Sequence, residues 1–173
     1  GAYRPLSSFE WAKDLLKLKW SDDVKKIIVS QVENRIKEQT LRSEISHLNI
    51  IDDKISQIVR NQYEENPYPR WRYGSHSENK KVSIIHGINK EIIPNYVSQK
   101  LYDDQLKILI AGCGTGNQIL QTQRYKNAQI TAIDLSLSSL GYAQRKINEL
   151  GIDNVELIQM DILEISLLEE QFD

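Results

Sequence analysis

The chain has 173 residues, 40% of them hydrophobic and 27% charged, with a formal net charge of −2. This balance is typical of a globular protein of one domain with an appendage. The negative net charge gives no overall excess of basic residues that would favour binding to nucleic acid. No apolar run reaches the ~20 residues that span a bilayer, no secretion leader is visible, and the single cysteine excludes an internal disulfide. We therefore expect a cytoplasmic protein without membrane contact, and nothing in the sequence predicts a metal site.

Residues 1–66 have the apolar spacing of a helical region. One helix is predicted over 8–19, a second begins after Ser21, and a third covers 52–64. The stretch 41–51 is compatible with a short helix. The residues expected to face inward on the third helix are Ile55, Ile58, Val59 and Gln62.

An aromatic and proline-rich linker follows the third helix. Pro67 and Pro69 disfavour a helix beyond residue 66, so a linker and lead-in are placed at 67–105. Within it, 82–86 predicts a short strand and 92–101 a helix. Two interpretations of the aromatic segment remain open: a linker that packs on the next domain, or a lid or part of a substrate groove. The contacts of such a lid or groove would be Tyr63, Tyr68, Arg70 and Trp71.

Residues 107–134 predict a strand, a glycine loop, a helix and a second strand that ends in a carboxylate. The apolar run 108–111 is typical of a parallel strand covered on both faces. The loop Gly112-Cys113-Gly114-Thr115-Gly116 allows positive φ and a close ligand approach, and the N-terminal N–H groups of a helix over 117–125 would face it. Asp134 comes about 20 residues after the first glycine, which is the spacing of a ribose-binding carboxylate.

The remaining residues predict one helix and a third strand. The helix is capped by Ser136 and ends at Gly151, and the strand covers 155–159. Because Glu156 and Gln159 make this strand more polar, we predict the sheet order third, second, first, with the third strand at the edge. The fold class expected is α/β: a partial Rossmann-like parallel sheet of about three core strands over 106–173, preceded by the helical region.

The spacing of the glycines separates two classes of nucleotide-binding loop. A dinucleotide loop has glycines at positions one, three and six, and position six here is Asn117. The spacing G-x-G-x-G resembles motif I of class I S-adenosylmethionine-dependent methyltransferases. Asp134-Leu135-Ser136 resembles the second motif of that family, and 154–162 resembles the third. One departure is Ile110, at a position where the family usually has Asp or Glu.

This resemblance implies that S-adenosylmethionine is the cofactor. In such enzymes the glycine loop receives the methionine portion, the acid after the second strand holds the ribose, and the third motif contacts the adenine. The residues implied are Gly112, Cys113, Gly114 and Gly116 for the methionine portion, Asp134 for the ribose, and Leu135, Asp161 and Ile162 for the adenine.

The resemblance also predicts what lies outside this chain. A complete class I domain has seven strands, so we expect an N-terminal portion of a longer enzyme, inactive alone, whose catalytic residues follow residue 173. The fourth strand of the family pairs with the first, so the first strand is expected to be an open edge, which either a second copy of the chain, in a homo-oligomer, or the helical N-terminal part would cover. The segment 66–71, N-P-Y-P-R-W, is similar to one in bacterial methyltransferases with tetratricopeptide repeats, although no such repeat is visible here.

The methyl acceptor stays open between a protein and a small molecule, with nucleic acid the least favoured by the net charge. Two alternative functions also remain. One is a non-catalytic Rossmann-like module that binds a partner through its N-terminal helices. The other is an NAD-dependent oxidoreductase, which Asn117 argues against.

Overall fold

The protein is described by a computed structural model that covers residues 4–74, 81–97 and 105–173. In this part of the chain, four parallel strands form one sheet, and helices pack on it. The predicted α/β fold is confirmed. No helix of the described residues is long and apolar enough to cross a membrane.

The N-terminal region begins with two 3₁₀ segments, Leu6–Ser8 and Glu10–Lys17, instead of the α-helix predicted over 8–19. Ala12 is the only buried residue of these segments, so tertiary packing contributes little to a regular α-helix here. Two helices follow, α1 (Asp22–Ile28) and α2 (Asn34–Arg42), and the π-helical segment Val29–Glu33 joins them without a break.

The sheet contains β1 (Ser46–His47), β2 (Leu106–Ala111), β3 (Ala128–Asp134) and β4 (Val155–Gln159). Its order is β1-β4-β3-β2, so the predicted order of the three long strands is confirmed. The prediction that the third long strand lies at the edge is wrong, because β1 pairs with it in parallel. The short helix considered for 41–51 is wrong for the same reason.

Two further helices flank the strands that carry the glycine loop. They are α5 (Asn117–Thr122) and α6 (Leu137–Leu150). Ser136 caps α6 by accepting a hydrogen bond from Ser139 N, and the helix ends at Gly151 with φ 66°, both as predicted. The apolar face of α6 packs on β3 and β4, and this contact forms the main core.

The predicted inner face of the third helix is wrong. This helix, α3 (Lys54–Glu65), exposes Ile55 by 72% and Ile58 by 67%, whereas Ser56 is buried. Polar groups contribute to the contact of α3 with α6, since Glu64 accepts hydrogen bonds from Ser138 N (3.2 Å) and Ser138 Oγ (2.6 Å). The helix therefore presents Glu64 to α6, while Ile55 and Ile58 face outward.

The lead-in to the sheet also differs from the prediction. The residues predicted as a strand over 82–86 belong mostly to helix α4 (Ile84–Glu91), because Ser83 caps it by accepting a hydrogen bond from His86 N. The helix predicted over 92–101 is wrong for its described part, 92–97, and the rest of it lies outside the described residues.

Candidate functional site

The glycine loop lies between the end of β2 and the start of α5, and its three glycines have φ values of 72°, 53° and 82°. At Gly112, no atom beyond residues 111–113 lies within 4 Å of the place where a Cβ would stand, so the backbone faces open space that a ligand can enter. Gly116 has a different reason to be glycine. A Cβ there would lie 2.9 Å from the Ala143 Cβ, so this residue allows the loop to approach α6.

Backbone hydrogen bonds tie the loop to the end of β3. Gly112 N and Cys113 N both donate to the Ile133 carbonyl oxygen at 2.9 Å. Gly114 N donates to Asp134 Oδ2 at 2.8 Å, and Ser136 N donates to Asp134 Oδ1 at 2.9 Å. A carboxylate has about four acceptor positions, so about two remain on Asp134 for hydroxyl groups of a ligand.

Burial controls the ionisation of the two titratable groups at the loop. Burial raises the pKa of the Asp134 carboxyl, and the N–H groups of Ser136 and Gly114 oppose this shift while the charge of Glu64 adds to it. Burial, with a smaller effect from Asp134, raises the pKa of the Cys113 thiol far above its usual value. The thiol is therefore neutral and fills space in the loop.

Loop and carboxylate open into one cavity of about 480 Å³, within the size range of small-molecule sites. Several residues that line the cavity were not identified as site residues from the sequence, among them Val59, Asn117, Gln118 and Met160. Periodicity alone could not find them, because they come from three different parts of the fold: α3, α5 and the residue after β4. The cavity-lining residues that the sequence singled out are Gly112, Cys113, Gly114, Asp134, Leu135 and Ile162, together with Tyr63 and Tyr68.

Four of the candidate residues lie outside the cavity wall. Gly116 packs on α6, and Asp161 is 97% buried with Oδ1 accepting a hydrogen bond from Leu163 N at 3.0 Å. Asp161 thus caps the 3₁₀ segment Ile162–Leu167, and its contact with adenine stays a prediction. The other two, Arg70 and Trp71, contact protein groups instead.

The aromatic segment 67–71 holds the glycine loop from the outside. Thr115 Oγ1 donates to the Pro69 carbonyl oxygen at 2.5 Å, and Trp71 Nε1 donates to the Thr115 carbonyl oxygen at 3.0 Å. Tyr142 on α6 donates its hydroxyl hydrogen to the Trp71 carbonyl oxygen. The segment therefore packs on the sheet domain, and Tyr68, 75% exposed, stands at the cavity mouth.

A buried carboxylate also holds Arg70 of this segment. Glu38 on α2 is 1% exposed and pairs with Arg70 Nη2 at 3.1 Å and with Arg145 Nε at 3.0 Å. Both guanidinium groups also lie over the ring of Tyr142, at 4.9 Å and 4.8 Å from its centroid. No local signal in the sequence marks Glu38, because a charged residue on a helix is usually exposed.

The succession of β2, a glycine loop, α5 and β3 with a terminal carboxylate defines a Rossmann-like α/β domain. A family model described as a methyltransferase domain matches residues 108–173. Malonyl-[acyl-carrier protein] O-methyltransferase of Priestia megaterium (strain DSM 319 / IMG 1521) is 40% identical over 81 residues, which are 46% of this chain and 28% of that protein. The chain thus spans just over a quarter of this curated relative.

Solved methyltransferases also resemble parts of the chain. PKMT2 from Rickettsia typhi in complex with AdoHcy is 31% identical, with a TM-score of 0.37, over 40% of this chain and 14% of that chain. Magnesium protoporphyrin IX methyltransferase from Synechocystis PCC 6803 with bound SAM is 23% identical, with a TM-score of 0.37, over 65% of this chain and 56% of that chain.

The family model and the curated relative support the resemblance of residues 108–173 to class I S-adenosylmethionine-dependent methyltransferases. The resemblance seen in the glycine spacing is confirmed. The narrower resemblance, to methyltransferases with tetratricopeptide repeats, stays a prediction.

Proposed function

We propose that this chain supplies the cofactor-binding half of an S-adenosylmethionine-dependent methyltransferase whose acceptor is a protein or a small molecule. The observation that carries the proposal is that Asp134 and the glycine loop line the same cavity. The two hydrogen-bond acceptor positions left on Asp134 match two neighbouring ribose hydroxyls, and a carboxylate holds such donors more strongly than a neutral group does.

The other cavity residues fit the rest of the same ligand. The bare backbone at Gly112 leaves room for the methionine portion, with Cys113 and Gly114 beside it. Leu135 and Ile162 provide apolar surface for the adenine ring, and Ile162 is still 50% exposed without it. When bound, the cofactor supplies an electrophilic methyl group, and the contribution of these residues is to bind and orient it. Ile110, 6% exposed, lies in the core and cannot replace the missing acid.

Isothermal titration calorimetry of the 173-residue chain tests this proposal. S-Adenosylmethionine and S-adenosylhomocysteine should bind, and NAD should not. Asp134→Asn should weaken binding at least about tenfold, because it removes a charged acceptor from two hydrogen bonds. Asp153→Asn, the same change at an exposed carboxylate outside the cavity, should leave the affinity within about twofold.

Two results would contradict the proposal. Binding of NAD alone would favour the oxidoreductase, and a folded chain that binds none of the three ligands would favour the partner-binding module. The proposal also includes a cytoplasmic location, which the buried free thiol of Cys113 supports.

A further inference from the structure

The glycine loop is held on two sides by parts of the chain that are far apart in sequence. On the inner side, Ile133 and Asp134 accept the hydrogen bonds of three loop N–H groups. On the outer side, Thr115 bonds twice to the aromatic segment 67–71, once through its hydroxyl and once through its carbonyl. The inner contacts belong to the sheet domain itself, whereas the outer contacts come from outside the region that matches the methyltransferase family.

We propose that Thr115 and Trp71 are positioning residues. The two hydrogen bonds between Thr115 and the aromatic segment, here called the clasp, fix the glycine loop in its ligand-binding conformation before the ligand binds. This inference rests on the proposed function. Thr115 is 1% exposed and stands between Gly114 and Gly116, which both have positive φ. Glycines lose more conformational freedom than other residues when they are fixed, so a loop with three of them is costly to order.

The clasp is itself rigidly supported. The indole of Trp71 lies between α6 and the loop, with Lys146 Nζ 5.0 Å from the ring centroid. The Trp71 carbonyl accepts the Tyr142 hydroxyl, and the neighbouring Arg70 pairs with the buried Glu38. Because Arg70 is anchored to α2 and Trp71 to α6, the hydrogen bonds of this segment to Thr115 restrict the loop rather than moving with it. A loop ordered in this way saves the ligand the cost of ordering it.

Thr115→Ala and Thr115→Ser form the decisive pair, because they differ only in the hydroxyl group. Thr115→Ala should bind S-adenosylhomocysteine about fivefold more weakly than the wild type, as expected for one lost hydrogen bond, and Thr115→Ser should restore the affinity to within about twofold. The matched control is Thr122→Ala, which removes a hydroxyl that donates to Ile119 O at 2.7 Å on α5, outside the cavity. It should lower the melting temperature without changing the affinity.

A second measurement follows the loop without ligand. Amide hydrogen exchange at Gly114 and Gly116 should be several-fold faster in Thr115→Ala than in the wild type or in Thr122→Ala. Trp71→Phe, which keeps a ring but removes the Nε1 donor, should change affinity and exchange in the same direction. It replaces Thr115→Ala if that variant does not fold.

The outcomes separate the clasp from the proposed function. Wild-type affinity in Thr115→Ala, or an equal loss of affinity in Thr122→Ala, would overturn the positioning role. If the wild type binds no adenosyl ligand, the proposed function fails. The exchange data then decide about the clasp alone, and unchanged exchange in Thr115→Ala would overturn it.

Discussion

The buried carboxylate of Glu38 should be the largest single polar contribution to the contact between the helical N-terminal region and the sheet domain. Its two arginine partners come from the aromatic segment and from α6, so one side chain joins three parts of the fold. Glu38→Gln keeps the size of the side chain but removes its charge. The two guanidinium groups then remain close together without an anion between them.

The expected cost can be worked out from the geometry. Breaking a buried ion pair by neutralising one partner costs ~3–5 kcal/mol. Arg145 keeps its second carboxylate partner, Glu149, and the side chain of Arg70 is 25% exposed and can regain water, so the lower end of the range applies. A loss of about 3 kcal/mol lowers the melting temperature of a chain of this size by about 6–12 °C.

Urea unfolding, followed by circular dichroism, measures this loss as a change in midpoint at constant slope. The matched control is Glu33→Gln, the same substitution on the preceding helical turn, where the carboxylate forms a surface pair with Lys37 at 2.7 Å. Such exposed pairs contribute up to ~1 kcal/mol, so the control should stay close to the wild type. If Glu38→Gln lost no more than Glu33→Gln, the buried network would not stabilise the interface, and the reasoning would be refuted.

Gly141→Ala should cost about 1–3 kcal/mol of unfolding free energy, because its Cβ would lie 2.8 Å from the Glu38 carbonyl oxygen on α2; an unchanged urea midpoint would show that the two helices can separate freely. Burial raises the pKa of the Asp134 carboxyl, so acidification should weaken the binding of S-adenosylhomocysteine at a higher pH than it would if this carboxyl were exposed. Calorimetry with the Asp134→Asn variant should show no such loss of affinity. The same shift acts on stability in the opposite sense: a carboxyl whose pKa is raised by folding favours the folded state below its unfolded-state pKa, and this contribution is lost as the pH rises through the folded value. The edge strand β2 should make the chain associate at rising concentration, and light scattering that shows a monomer throughout would count against it.

Local signals in the sequence were sufficient for the three long strands of the sheet and for α6. The cap at Ser136 and the stop at Gly151 define α6, and the apolar runs of β2 and β3 are long enough to be assigned without a partner. The glycine loop and Asp134 could be placed together because the ends of neighbouring parallel strands meet at one edge of a sheet. These features depend on residues close in sequence or on a repeated topology.

The features that were missed depend on partners far away in the chain. Strand β1 has two residues and exists only through its pairing with β4. Helix α3 contacts α6 through Glu64, which bonds to Ser138 far along the chain. The periodicity of its apolar residues does not show which side of the helix is covered. The clasp at Thr115 joins residues 46 positions apart, so the sequence marked the aromatic segment but not its contact.

The two kinds of contact have different consequences for the molecule. Apolar packing between α6 and the sheet is tolerant of small shifts, because methyl groups interact similarly in many arrangements. The contact of α2 and the aromatic segment with α6 relies on a glycine, an ion network and directional hydrogen bonds, which fix one register. Since that register places Trp71 against the Thr115 carbonyl, the N-terminal region acts on the glycine loop through geometry rather than through bulk hydrophobic contact.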